Sequence, residues 1–219
     1  MTLNFGDILD GVAKHRGAAP AVTGDKGTLS WSDFDRRSNA LARALSAEGI
    51  KPHDKIGFLL FNSPEYLELL SACFKGRFVH VNLNYRYTSS EIEYVLDNSD
   101  AAVLVYDGRL SPIIDGLSQE MRDRLVLTIE RSPDDQIFIY TGGTTGMPKG
   151  VMWRQDDQAH VLLSGQLGET EAGYNCDDVI ARLDEPKSYG TPLIASPLMH
   201  GLGLATALTT MCNGGHIVV

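Results

Sequence analysis

Apolar and polar positions change period several times along the first half of this chain, and each change marks an element. Thr28 to Trp31 is short and strand-like, and Ser32 stands where a helix N-cap is expected. Phe34, Leu41 and Leu45 follow at spacings of seven and four, with Ala40 and Ala44 beside them, which predicts one apolar helix face. Gly49 closes that helix and Pro52 bars its continuation. Lys55 to Phe61 is an apolar run of strand length. Ser63-Pro64-Glu65 then supplies a hydroxyl cap, a proline at the first helical position and an acid facing the helix dipole. The helix it opens carries Tyr66, Leu69, Leu70 and Cys73 and stops near Gly76.

Phe78 to Leu83 predicts the next strand and Asn84 to Tyr87 a loop. Thr88-Ser89-Ser90-Glu91 has the form of a capping box, with Ile92, Val95 and Leu96 inward. Ala101 to Tyr106 is nearly continuous in apolar residues, as in a parallel strand buried on both faces. A helix from Pro112 to Met121, a strand at Leu125 to Ile129, a polar turn at Ser132 to Gln136 and a strand at Ile137 to Tyr140 follow. Lys149 to Trp153 is strand-like, residues 169–191 read as a long loop, and Ala205 to Met211 as a helix. Asn213-Gly214-Gly215 turns the chain into a last strand, His216 to Val219. Strand–helix–strand repetition at this spacing means βαβ units and an α/β layered fold. A chain ending on a strand is expected to leave a sheet edge open to association.

Composition narrows the function. The 219 residues carry 19 Lys and Arg against 28 Asp and Glu, a net charge of −9, which repels phosphate backbones and argues against nucleic-acid binding. An anionic ligand therefore needs a local site. Cys73, Cys176 and Cys212 form no C-x-x-C pair, so neither a disulfide scaffold nor a structural zinc site is indicated; they read as small buried hydrophobes in a reducing compartment. The first seventeen residues lack an apolar core of the leader type, and no apolar run approaches membrane-spanning length. A cytoplasmic setting is expected.

The chemistry concentrates in Tyr140 to Gly150, YTGGTTGMPKG, directly after an apolar strand. Glycines let backbone N–H groups converge on a ligand, threonine hydroxyls add short donors, and Lys149 adds positive charge. Those are parts of a phosphate cradle. A Walker A loop is excluded because Pro148 precedes the lysine and Gly150 follows it; a dinucleotide fingerprint is excluded because Thr141 stands at its first glycine. A plain Gly/Thr turn between strands is the alternative. A second candidate is His200 in SPLMHGLG, against which stands a structural histidine between two loops. His15, His53, His80, His160 and His216 lack comparable surroundings. Asp134-Asp135, Asp156-Asp157 and Asp177-Asp178 read as solvated turns or helix starts, Arg36-Arg37 as exposed, and Met147 and Trp153 as packing rather than ligand contacts.

YTGGTTGMPKG resembles the signature loop of the adenylate-forming superfamily, which includes acyl-CoA synthetases, luciferases and peptide-synthetase adenylation domains; Gly142 replaces its usual serine. LSWSDFDRRSNALARAL, FNSPEYLELLSACFKG, VNLNYRYTSSEIEYVL and SPLMHGLG are similar to the family's N-terminal region and occur in its order. TGGTTGMPKGVMWR and NYRYT are most similar to actinobacterial synthetases for long-chain or steroid-derived acids.

The resemblance implies a layered N-terminal AMP-binding domain spanning 1–219, with the phosphate loop at 140–150. It also implies a two-step ligation of a fatty or steroid-type carboxylic acid to CoA through an acyl-adenylate. ATP, Mg2+ and CoA are the implied cofactor and cosubstrates, and a homodimer the implied full-length form. Lys149, Thr145 and His200 would be catalytic. Thr141, Gly142, Gly143, Thr144, Thr145, Gly146, Met147, Pro148 and Lys149 would bind the nucleotide, while metal ligands are unassigned. Family members are more than twice as long, and the adenosine pocket and C-terminal lid have no counterpart here. The stretch between Ile129 and Ser132 is also short for the family. Two readings follow: the N-terminal part of an acyl-CoA ligase that is incomplete as it stands, or a non-catalytic nucleotide- or acyl-binding module working with a partner chain.

Overall fold

The computed structural model describes residues 3–123, 136–141, 149–167, 175–184 and 190–219. The chain opens with α1 (Phe5–Arg16), capped by the Asn4 side chain accepting from the Gly6 amide. The antiparallel pair β1 (Pro20–Gly24) and β2 (Gly27–Ser30) leads into α2 (Trp31–Ala47). Then come β3 (Lys55–Leu59), α3 (Pro64–Gly76), β4 (Val79–Asn82), α4 (Ser89–Asn98) and β5 (Ala101–Tyr106). The short helices α5 (Ser111–Asp115) and α6 (Gln119–Asp123) precede β6 (Gln136–Thr141) and β7 (Lys149–Arg154). The last elements are α7 (Gln155–Leu167), α8 (Cys176–Ala181), α9 (Gly201–Cys212) and β8 (Ile217–Val218).

Five strands form one sheet in the order β5-β3-β4-β6-β7, and three form a second in the order β2-β1-β8. In the larger sheet β3, β4, β5 and β6 are parallel and β7 runs antiparallel to β6. Side chains alternate across it. Ile56 and Phe58 point into a core shared with α1, α2, α3, α7, α9 and the small sheet. Leu59, Val79, Val81 and Ala101 point into a second core under α4 and α6. A methyl group at Gly57 would lie 2.9 Å from Leu96 and 3.1 Å from Leu83, so the absence of a side chain there lets α4 rest on the sheet. Each large apolar side chain removed from water in these cores contributes about 1.5–3 kcal/mol.

The structure bears out the α/β layers and corrects several details. Ser30, not Ser32, caps α2, accepting from the Asp33 amide; Ala40 and Ala44 face solvent, while Ser38 and Ala42 share the buried face with Phe34. The single helix expected from Pro112 to Met121 is two, with Ser118 between them receiving the Met121 amide. The long loop expected over 169–191 contains α8, where Asn175 and Asp178 form a capping box. Arg37 is exposed at its tip but pairs at 2.9 Å with the buried Glu68 carboxylate, tying α2 to α3. Trp153 is 41% exposed rather than packed. β8 does not leave an open edge: Val218 donates to Pro192 on one side, and the Val219 amide donates to Thr23 on the other. The expected strand at 125–129, the turn at 132–135 and loop residues 142–148 lie outside the described residues.

All three cysteines are free, with Cys73 and Cys212 fully buried as expected and Cys176 half-buried. Among the described residues no helix is long and apolar enough to cross a membrane.

Candidate functional site

Two crossovers define the place where a ligand can reach the backbone. From β3 the chain passes through α3 to β4 on one flank, with α3 in the first core. From β4 it passes through α4 to β5 on the opposite flank of β3, with α4 in the second core. Successive connections thus leave β3 and β4 in opposite directions over opposite faces. In open α/β sheets the crevice beyond the carboxyl ends of two such strands is the usual binding position.

Two asparagines stand at those ends. Asn62 follows β3; its amide nitrogen donates to the carbonyls of Ile194 (3.0 Å) and Ser196 (3.1 Å), and its oxygen accepts from the Leu198 amide (2.8 Å). Asn82, the last residue of β4 and 2% exposed, donates to the Met199 carbonyl. Together they fasten residues 194–199 across the crevice. The His200 amide closes a turn on the Pro197 carbonyl (2.9 Å), and the His200 carbonyl accepts from Leu204 (3.0 Å) to start α9. A methyl group at Gly203 would fall 2.5 Å from the Pro197 oxygen and 2.7 Å from the Ser196 oxygen, so only glycine lets α9 lie against the turn. The His200 backbone is therefore fixed from three sides, while its imidazole is exposed and makes no capping bond to α9.

The signature loop leaves the same edge. β6 is parallel to β4, with Val81 opposite Phe138, so Thr141 ends β6 about two residues beyond the level of Asn82. One strand spacing and two residues of rise put these backbones roughly 8 Å apart. Thr141 pairs across the sheet with Lys149, so both ends of the loop share this edge with the His200 turn. Gly142, Gly143, Thr144, Thr145, Gly146, Met147 and Pro148 lie outside the described residues.

Behind the crevice, His80 sits two residues before Asn82 on the same face of β4. It is fully buried against Phe58, with ring centroids 4.4 Å apart, and its Nε2 lies 3.0 Å from the Tyr66 hydroxyl. Its Nδ1 has no hydrogen-bond partner among the described residues. Burial pushes this imidazole down to about 3 and the Tyr66 phenol upward, so both are neutral at physiological pH. A cavity of about 490 Å3 between α1 and α8 is lined by Asp7, Asp10, Lys14, His15, Cys176 and Asp177, among others, and that acidic lining suits no phosphate ligand. The sequence reading missed Asn62 and Asn82, whose bonds span more than a hundred residues. It had Gly203 inside the SPLMHGLG motif without its reason.

Comparison with known proteins places these features in a family. The model of a family described as AMP-binding enzyme matches residues 9–219. The 3-oxocholest-4-en-26-oate–CoA ligase of Rhodococcus rhodochrous is 28% identical over 252 residues, covering 100% of this chain and 45% of that protein. The medium-chain acyl-CoA ligase Mig of Mycobacterium avium is 30% identical, covering 90% of this chain and 44% of its own length. This chain thus spans about half the length of the curated relatives it matches. The 252-residue alignment is longer than the chain, so the Rhodococcus protein carries additional residues within the matched span. Among solved structures, the fatty acyl CoA synthetase of Mycobacterium tuberculosis superposes with a TM-score of 0.77 at 21% identity, covering 98% of this chain and 44% of its own. The O-succinylbenzoate coenzyme A synthetase of Bacillus subtilis in complex with AMP gives 0.74 at 24% identity, covering 96% of this chain and 54% of its own. Both share the fold.

Proposed function

This chain belongs to the AMP-binding enzyme family, and from that premise we propose that it is the N-terminal part of an ATP-dependent acyl-CoA ligase acting on fatty or steroid-type carboxylic acids. The relatives named for such acids support the substrate class. The observation that carries the reading is the shared sheet edge: Thr141 and Lys149, which bracket the glycine–threonine loop, and the turn bearing His200 lie along the same carboxyl edge of the sheet.

In this reading the acid's carboxylate oxygen attacks the α-phosphorus of ATP, and the bond to the β-phosphate bridging oxygen breaks, giving acyl-adenylate and pyrophosphate. The CoA thiol, losing its proton, then attacks the acyl carbon and AMP departs with the electron pair. Catalysis of this kind is chiefly positioning and charge neutralisation. Thr141 to Gly146 would wrap the β- and γ-phosphates through backbone amides and the Thr141, Thr144 and Thr145 hydroxyls, with Met147 and Pro148 completing the nucleotide-binding set. Lys149 offsets charge on the departing pyrophosphate, and His200 faces the carboxylate and the adenylate formed from it. Magnesium adds positive charge to the phosphates when bound. Among the described residues no group of three or more His, Cys, Asp or Glu side chains is set to hold a metal, so none is assigned to it and no step is routed through it. A cytoplasmic setting, supported by the free thiols, and a homodimeric full-length form, taken from the family resemblance, complete the reading.

The test is a pair of measurements. The intact mass of the protein from its source cells is expected to exceed twice that of this chain, with ATP- and CoA-dependent acyl-CoA formation in the same fraction. A species of 219 residues would instead favour a nucleotide- or acyl-binding module acting with a partner. Lys149→Ala is expected to weaken ATP or pyrophosphate binding by about 1–3 kcal/mol, as for loss of one charge-assisted contact. Unchanged affinity in a titration refutes the role given to the loop.

A further inference from the structure

We infer that Asn62 and Asn82 are positioning residues that hold His200 at the switch-point crevice, and that this is why two polar side chains occupy the carboxyl ends of β3 and β4. The inference rests on the role given to His200 above.

The carboxyl ends of β3 and β4 receive the segment 194–199 from more than a hundred residues away in sequence, and a carboxamide suits that task. It offers two N–H donors and a carbonyl acceptor in one plane, and a buried backbone strand has the complementary groups. Asn62 uses both kinds at once, donating to Ile194 and Ser196 and accepting from Leu198, so it reads three consecutive alternate backbone positions as a neighbouring strand would. Asn82 adds the Met199 carbonyl, one residue before the histidine. Leu198 and Met199 are buried, 0% and 3% exposed, so the segment is held by apolar packing as well, yet packing alone does not fix a backbone along its own axis. The bonds do. Beyond Met199 the His200 amide is already committed to Pro197 and its carbonyl to Leu204, whereas the imidazole is exposed and has no bond to the described residues, so it can meet a ligand. Rotation of the 197–200 turn by a few degrees would carry the ring by an ångström or more, enough to lose a directed contact.

The clamp also explains why the asparagines stand beyond or at the ends of two different strands. One bond from one strand would leave the segment free to pivot, whereas anchors on both lips of the crevice hold its direction. Gly203 supplies the third restraint by letting the first turn of α9 touch Ser196 and Pro197.

The test compares Asn62→Ala, Asn82→Ala and His200→Ala with Thr88→Ala, which removes the α4 cap on the opposite face and serves as a control for general loss of stability. Three quantities are read on the native-length protein: amide exchange at Leu198 and His200, the His200 ring Hε1 resonance, and the dissociation constant for a long-chain acyl sulfamoyl-adenosine. In both asparagine variants exchange should quicken about tenfold or more and the analogue bind about tenfold more weakly. The Hε1 line should broaden, and Thr88→Ala should change none of the three. Asn82→Ala removes the bond to the Met199 carbonyl and carries the test if Asn62→Ala does not fold. Unaltered exchange and Hε1 line in the asparagine variants overturn the inference. Altered exchange with unaltered affinity, while His200→Ala weakens binding, also overturns it and leaves the reading of His200 standing. Full affinity in His200→Ala, or no binding by the unsubstituted native-length protein, overturns that reading and the positioning role with it.

Discussion

His80 makes a pH-dependent prediction whose size follows from its surroundings. The ring is fully buried between Phe58 and Tyr66, and among the described residues its one hydrogen-bond partner is the Tyr66 oxygen. A protonated imidazole carries two N–H donors, so one of them would be buried without an acceptor beside an added charge; the neutral ring leaves only one nitrogen unpaired. Burial accordingly lowers the folded value from 6.5 to about 3. The unfolded chain therefore binds the proton first as pH falls, and the sign follows: stability is full above pH 6.5 and is lost progressively down to about 3. At pH 5 the unfolded imidazole is almost wholly charged and the folded one almost wholly neutral, which costs about 2 kcal/mol relative to pH 8. The assay is urea unfolding of the wild-type chain and His80→Gln at pH 8, 7, 6 and 5. Glutamine does not titrate, so the difference between the two stabilities should shrink or reverse by about 2 kcal/mol over that range. A difference that stays constant with pH refutes the buried, neutral assignment.

Further outcomes follow from the same packing. Gly203→Ala should lower the unfolding free energy by about 1–3 kcal/mol, because its methyl group meets the Ser196 and Pro197 carbonyl oxygens rather than a flexible side chain. A denaturation midpoint at or above wild type would refute the close approach, since alanine is otherwise the better helix former. Lys75→Met should destabilise by about 3 kcal/mol: the Lys75 side chain is 1% exposed, and its ammonium lies between Asp10 (2.8 Å) and Asp35, joining α3 to α1 and α2. If Lys75→Met is as stable as wild type by the same assay, the Lys75 ion triad contributes nothing.

Much of the α/β frame was legible because its signals are local. The Ser63-Pro64-Glu65 start, the Thr88–Glu91 capping box and the apolar runs at 55–61, 78–83 and 101–106 each lie within a few residues, and each became the element expected. Elements whose buried face is polar or whose signal is short were missed. In α7 the buried positions include Gln155 and Gln158 beside Ala159 and Leu163, which hides the apolar stripe. α8 has six residues, too few for a period to show. α1 does carry Phe5, Ile8, Leu9 and Val12 at helical spacing behind Asn4, but that stretch was weighed only as a leader.

The candidate site divides along the same line. In the proposed reading Tyr140 to Gly150 announces its chemistry in eleven residues, because a phosphate loop is built from consecutive backbone amides and composition and function then coincide. The His200 side does not. An imidazole acts only where it is pointed, and what points it is held at sequence separations of 132 to 136 from Asn62 and 117 from Asn82. Asparagine after a strand reads locally as a turn residue, and nothing in its neighbours tells that its carboxamide reaches another loop. Lys149 and His200 therefore test different things. Substituting the lysine probes a cradle whose parts are written side by side in the chain. Substituting Asn62 or Asn82 probes a geometry that exists only once β3, β4 and α9 have packed, and its loss should leave the loop's affinity for pyrophosphate unchanged while weakening the hold on the adenylate. If Asn62→Ala weakened pyrophosphate binding as much as Lys149→Ala does, the two halves of the site would be one coupled unit, and the division argued from their sequence ranges would fail.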